Sequence, residues 1–203
     1  MEEEINGNIN TPEYWDEKFT QLIPMARTWR INKYEFLLNY LPQRKKFSLL
    51  DIGCAFGDGL AFIQRHFPKA ELFGLDFSLV AIRRAMRNYK DIDFICADIN
   101  AFEFYRRFHY ILLVRTLEHL DNPFGLIDKC LGYANTAVVV NVPNPKYRCD
   151  EHIHKFHLDD FTNYITAILC QNTKGQGKAF AIYSKIEEWA GKKRDYVIRR
   201  SSK

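Results

Sequence analysis

Residues 47–59 read FSLLDIGCAFGDG, and that stretch decides the fold. Phe47, Leu49, Leu50 and Ile52 form an apolar run of strand length, and the small residues Gly53, Ala55, Gly57 and Gly59 follow directly. From Gly57 the spacing turns helical (GDGLAFIQRHF, 57–67) and stops before Pro68. A buried strand that passes through a small-residue turn into a helix is the repeating unit of a parallel α/β sheet covered on both faces. Such a turn lets the backbone approach a ligand closely, and the helix start offers unpaired N–H groups to it.

Working outward, the alternation continues. Strands are expected at ELFGLD (71–76), IDFICAD (92–98), FHYILLV (108–114) and TAVVVNV (136–142). Helices are expected at 78–89, 101–107 and 122–133, the first with Arg83, Arg84 and Arg87 off its apolar stripe. Upstream, Thr11-Pro12 opens a helix carrying YWDEKF, and a second helix is expected over 29–41, closed by Pro42. The chain ends differently, with a helix at 157–165 and two strands, 167–171 and 178–186, joined by NTKGQG. That pair predicts an antiparallel finish to an otherwise parallel open sheet.

The 203 residues, 47% hydrophobic and 27% charged, suit one globular domain over 1–203, with an N-terminal helical cap (1–42), catalytic sheet and helices (43–190) and a basic tail (191–203). The tail, GKKRDYVIRRSSK, supplies much of the formal charge of +4 and is expected to be frayed and solvated. No apolar run is long enough for a membrane span, and MEEEINGNIN is not a signal peptide, so a cytoplasmic location is expected. The five cysteines contain no CxxC pair, which argues against a zinc ribbon, a redox motif or a disulfide framework. Oligomeric state is not legible.

In open α/β sheets ligands bind outside the carboxyl ends of the strands. There the sequence places an acid after each of three consecutive strands: Asp51, Asp76 and Asp98. Asp76 is placed to accept from ribose hydroxyls, and Asp98 with the N–H of Ile99 to read an adenine edge. A phosphate loop is excluded because no Gly-Lys-Ser/Thr follows the first strand. The dinucleotide pattern G-x-G-x-x-G/A fails in both registers, since its sixth position would be Asp58 or Phe62. Asp51 would repel a pyrophosphate and attract an ammonium or sulfonium group.

The ordered series DIGCAFGDG, LFGLDFS, ICADI and VRTLEHL resembles class I S-adenosylmethionine-dependent methyltransferases, particularly small bacterial enzymes with a Glu-His pair after the fourth strand. The resemblance implies a Rossmann-like doubly wound sheet of seven strands, order 3-2-1-4-5-7-6, with the last strand antiparallel and N-terminal cap helices. It implies S-adenosyl-L-methionine as cofactor. Asp51, Gly53, Ala55 and Gly57 would surround its methionyl part, Asp76 would hold the ribose, Phe77 would pack on the adenine, Asp98 and Ile99 would read it, and the Arg115 carbonyl would face the methionyl amine. The family usually has Gly where Ala55 stands, and the extra methyl is tolerated if Ala55 keeps a negative φ. Tyr14, Trp15 and Phe19 resemble a segment that folds over the cofactor, and Arg30 is weighed as a carboxylate contact against a plain surface residue.

Transfer to a hydroxyl needs positioning, exclusion of water and a proton acceptor. Among six histidines, His66 and His109 read as structural, whereas His119 and His154 follow the fourth and fifth strands and are the candidate catalytic residues. Trp15, Tyr147 and Phe156 are the candidate substrate pocket. A metal site is not expected, because His152 and His154 share a side only if extended and no further ligand follows them. NPKY at 144–147 resembles an amine-methylating N-P-P-Y signature but follows the wrong strand, and reads as a turn. The expected activity is therefore methylation of a small-molecule acceptor, a hydroxyl ahead of an amine or a carboxylate, with nucleic acid not expected as a partner. The alternatives are an RNA or protein methyltransferase using the basic tail, a cofactor-binding module without turnover, or a dehydrogenase with a misread fingerprint.

Overall fold

The computed structural model describes residues 8–22, 31–43, 45–171, 178–183 and 198–199. Eight strands form one sheet: β1 (Ser48–Ile52), β2 (Glu71–Asp76), β3 (Asp93–Cys96), β4 (Phe108–Val114), β5 (Ala134–Val142), β6 (Ile165–Gln171), β7 (Lys178–Tyr183) and β8 (Ile198–Arg199). Their order is β3-β2-β1-β4-β5-β7-β6-β8. The first five pair in parallel, for instance Asp51 with Gly74 and with Leu112, and β7 runs antiparallel to both β5 and β6. The expected mostly parallel α/β sheet with an antiparallel finish is present.

The strand period sorts the core into two layers. Tyr110, Leu112 and Val114 of β4 pack with Leu60 and Ile63 of α2 (Asp58–His66) on one face. Ile111 and Leu113 face the other way, against Leu126 and Ile127 of α4 (Pro123–Tyr133). Central strands buried on both faces need apolar residues at every position, which is why β4 reads as an uninterrupted run. Between them, α3 (Leu79–Asn88) buries Ala81, Ile82 and Ala85 and is capped by Ser78, whose hydroxyl accepts from Ala81 N–H at 3.1 Å. Asn122 caps α4 the same way, with Pro123 at the first helical position. The N-terminal helix α1 (Pro12–Leu22) lies over the carboxyl ends of the strands and packs against α3.

Several expectations are corrected. Residues 101–107 form no helix: the Lys129 ammonium binds the carbonyls of Ile99 and Phe102 (3.0 and 2.5 Å), and Phe104 is buried in the core. These side-chain bonds replace those a helix would have made. Within 31–41 there is a 3-10 turn (Asn32–Tyr34) and one helical turn (Leu37–Tyr40), and within 157–165 a 3-10 turn, Leu158–Phe161. Among the described residues the sheet has eight strands where seven were expected, because Ile198–Arg199 pairs with Ala167 and Thr166 on the open edge of β6. That part of the basic tail is not frayed; the rest of 191–203, the 172–177 connection, Arg30 and residues 184–190 lie outside the described residues. Among the described residues no helix is long and apolar enough to cross a membrane.

Candidate active site

The turn after β1 is held by backbone. Gly53 and Cys54 donate to the Leu75 carbonyl (2.7 and 3.1 Å), and Gly57 to that of Cys54 (3.0 Å). Three alternate residues are left-handed: Gly53 (φ 77°), Ala55 (φ 48°) and Gly57 (φ 74°). A Cβ on Gly53 would stand 2.6 Å from Thr116 Oγ1, which itself donates to the Ile52 carbonyl at 2.9 Å. The negative φ expected of Ala55 is overturned. Its N–H donates to Asp76 Oδ2 at 2.8 Å, and that bond holds the residue where a side chain is strained.

The three acids differ in environment. Asp76 is buried at the tip of β2, accepts from Ala55 and from Ser78 N–H (2.9 Å), and is pushed up to about 6 by burial, despite those bonds. Asp51 is fully buried one layer behind the cavity wall. Tyr34 donates to its Oδ2 at 2.8 Å, its Oδ1 meets no partner among the described residues, and burial raises it to about 8. Tyr34 can reach it because its ring lies over Gly59. Asp98 is exposed, accepts from Asn100 (2.9 and 3.0 Å) and lines the cavity beside Phe77 and the buried Ile99. Arg115, also left-handed (φ 58°), is fixed to Asn141 through its N–H (2.8 Å) and Nε (2.7 Å).

These residues border one cavity of about 900 Å³. Helix α1 closes its top. Trp15 sits edge-on to His119 (5.1 Å between centroids), and Phe19 meets Phe56 (5.1 Å). Asp16 accepts from the Ser78 hydroxyl and from Val80 N–H (3.1 Å) at the start of α3. At the far rim Glu151 gathers the lid: Tyr14 donates to its Oε1 at 2.6 Å, Lys18 pairs with it, Cys149 donates to it, and Asn10 binds its carbonyl at 2.9 Å. Asn8 reaches the His119 carbonyl at 3.0 Å.

Also on the cavity wall stand Glu118 and His119, on a 3-10 turn after β4, with His152 from the loop after β5. Glu118 is fully buried, neither carboxylate oxygen has a partner among the described residues, and burial raises it to about 7. Burial, with His152 next, lowers His119 to about 3, and its Nδ1 is bonded to the Glu151 carbonyl at 2.9 Å. Tyr147 is 59% exposed at the rim, 5.7 Å from the His152 ring.

The structure brings Gly53, Ala55, Asp76, Phe77, Asp98, Ile99, Arg115, Trp15, Tyr147 and His119 to the cavity. It does not bring His154, Phe156 or Gly57 to its wall. His154 Nε2 is bonded to the Leu120 carbonyl at 2.9 Å, Phe156 packs with Phe124 and Phe161, and Gly57 is buried beneath Phe94. His66 and His109 bind Phe62 O and Ser48 respectively, as structural residues do. Sequence reasoning missed Tyr34, Asp16, Thr116 and Glu118 as a group in its own right, of which Glu118 carried a signal, its place beside His119 in VRTLEHL; His152 and Glu151 lie in EHIHKFHLDD, which reads as a ligand-end segment but whose metal reading is not the one expected.

Residues 49–131 match the family described as "Methyltransferase domain". No curated protein matches the chain. Among solved structures it is similar to the plantazolicin methyltransferase BpumL in complex with a pentazolic desmethylPZN analog and SAH (19% identity, 84% of this chain and 90% of that one, TM-score 0.59). It is also similar to the N-methyltransferase NodS from Bradyrhizobium japonicum WM9 in complex with S-adenosyl-L-homocysteine (18% identity, 83% and 98%, TM-score 0.60). At such identities the structures speak for the fold alone, and the family match, "Methyltransferase domain", extends over residues 49–131.

Proposed function

We propose that this chain, built on that methyltransferase domain, transfers the methyl group of S-adenosyl-L-methionine to a hydroxyl of a small-molecule acceptor in the cytoplasm. The observation that carries the reading is Asp76. It is buried at a strand tip, faces the cavity, and is bonded on one side to the left-handed turn that a donor would touch. In this reading 1–42 caps a catalytic unit of 43–190. Gly53, Ala55 and the Arg115 carbonyl surround the methionyl group, and Asp51 and Gly57 support them from behind. Asp76 holds the ribose, and Phe77, Asp98 and Ile99 hold the adenine. Trp15 and Tyr147 border the acceptor.

The sulfonium supplies its own driving force. The C–S bond breaks with its electron pair passing to sulfur as the acceptor oxygen forms the new C–O bond, so the protein's task is alignment and dryness. Helix α1, fastened at both Asp16 and Glu151, keeps water out. His154 is spent on Leu120, and His119 at about 3 binds a proton weakly, so a lone histidine base does not account for activation of a hydroxyl.

Thermal shift with S-adenosylmethionine, S-adenosylhomocysteine and NADH tests the reading. Stabilisation by the first two and its loss in Asp76→Ala, with circular dichroism unchanged, is expected. Stabilisation by NADH alone ends it. Truncation after Ala190 tests the RNA or protein alternative: small-molecule turnover should survive it.

A further inference from the structure

Glu118, His119 and His152 offer one carboxylate oxygen and two ring nitrogens that all lie within 4.8 Å of one another. Their two loops are joined by backbone, since Ile153 and His154 N–H both donate to the Glu118 carbonyl (3.0 and 3.3 Å), so the spacing does not depend on flexible side chains alone. Two further observations point to a cation. A fully buried carboxylate with both oxygens lacking a partner among the described residues is costly, and a bound cation removes that cost. The Glu151 carbonyl can only accept, so His119 Nδ1 must be the donor and its Nε2 carries a lone pair. An imidazole anchored through one nitrogen to a backbone carbonyl is the arrangement by which metal-bound histidines are oriented.

We propose that Glu118, His119 and His152 bind one divalent transition-metal ion, of the zinc, cobalt or manganese kind, whose open positions take the acceptor's oxygen. Two imidazoles and one carboxylate suit these ions better than magnesium, which prefers an all-oxygen shell. Three protein ligands leave room for a hydroxyl. The metal-held hydroxyl releases its proton to bulk solvent as the acceptor binds, before the transfer that needs the water-free site, and the resulting oxygen attacks the methyl group as the C–S bond breaks, its electron pair passing to sulfur. Arg115 and Lys33 are the cations whose charge reaches Glu118, without a hydrogen bond to either of its oxygens; Arg115 Nε is bonded to Asn141, and nearby Lys18 is paired with Glu151. Their positive field favours an anionic oxygen in the open position. The catalytic use rests on the methyl-transfer reading; the binding itself does not.

The test uses the full chain freed of metal by a chelator and titrated with Co²⁺, followed by visible d–d absorption and displacement with Zn²⁺. One equivalent is expected to bind. Glu118→Gln and His152→Asn should each weaken it by about tenfold or more, and His66→Asn should not. Binding of S-adenosylhomocysteine, measured on the same samples, should persist in the variants and so separates metal loss from misfolding. If Glu118→Gln does not fold, His152→Asn decides. Absence of a Co²⁺ signal in the wild type, or affinity unchanged in His152→Asn, overturns the site. Turnover indifferent to chelation overturns the catalytic use. Wild type that binds Co²⁺ but not S-adenosylhomocysteine leaves the metal standing and sinks the donor reading.

Discussion

At the proposed donor end of the cavity the wall is mainly the backbone of one tight turn; at the proposed acceptor end it is mainly side chains gathered from distant segments. The turn 53–57 draws on itself, through Cys54, and on nearby strand ends, through Leu75, Asp76 and Thr116 just past β4. The acceptor end gathers Asn8, Asn10, Tyr14 and Lys18 from one terminus, Glu118 and His119 from the middle, and Glu151 and His152 beyond β5. Backbone turns in left-handed conformations tolerate little replacement, whereas a rim of long side chains can be exchanged piece by piece. The contrast suits a domain that keeps one ligand constant and varies the other.

The comparison can be broken first at Gly53. Gly53→Ala meets both left-handed strain and Thr116, and should cost about 2–4 kcal/mol, seen as a loss of roughly 6–12 °C in Tm. Tyr147→Ala at the exposed rim should stay within about 0.5 kcal/mol. Equal effects would erase the distinction between the two ends.

Proton linkage sharpens it next. Asp76 (about 6) and Asp51 (about 8) are raised above the ordinary carboxylate value, chiefly by burial. The stability they contribute is therefore present below about pH 4 and lost as pH rises through 6 and then 8, with Glu118 (about 7) acting in the same direction. A cationic donor favours the ionised acids, so its affinity should climb between pH 6 and 8 by up to about tenfold per pH unit, until its own amine deprotonates near pH 8. Calorimetric Kd values for S-adenosylmethionine across that range check the sign, and a flat profile would disconnect these acids from the donor. The smallest effect is Ala55→Gly. Relief of a left-handed alanine should raise stability by up to about 1 kcal/mol, offset in part by the freer unfolded chain, and a denaturant midpoint reads it.

How much was legible follows the same division. The turn, Asp76 and Asp98 could be read because each lies within a few residues of a strand end whose apolar run announces it. Ala55 could be found but not its φ, since the N–H bond that holds it comes from Asp76 on another strand. Residues 101–107 have helical spacing, yet Lys129 binds the Ile99 carbonyl before them and the Phe102 carbonyl within them, and Phe104 is taken into the core, so tertiary contacts override local preference. His152 and His154 share a side only in a regular extended segment, and this one is not regular: the consecutive N–H groups of Ile153 and His154 both turn to the Glu118 carbonyl, with His152 at the cavity and His154 bonded to the Leu120 carbonyl.

By itself the sequence determined the alternation of strands and helices and the acids at the carboxyl ends of the strands, because periodicity and strand-end position are local properties of the chain. Only the tertiary structure decided that Glu118, His119 and His152 stand together, that Glu151 fastens the lid, and that Ala55 is left-handed. Each of these depends on contacts between segments separated by tens of residues, and such contacts form only when burial of the shared core brings those segments together.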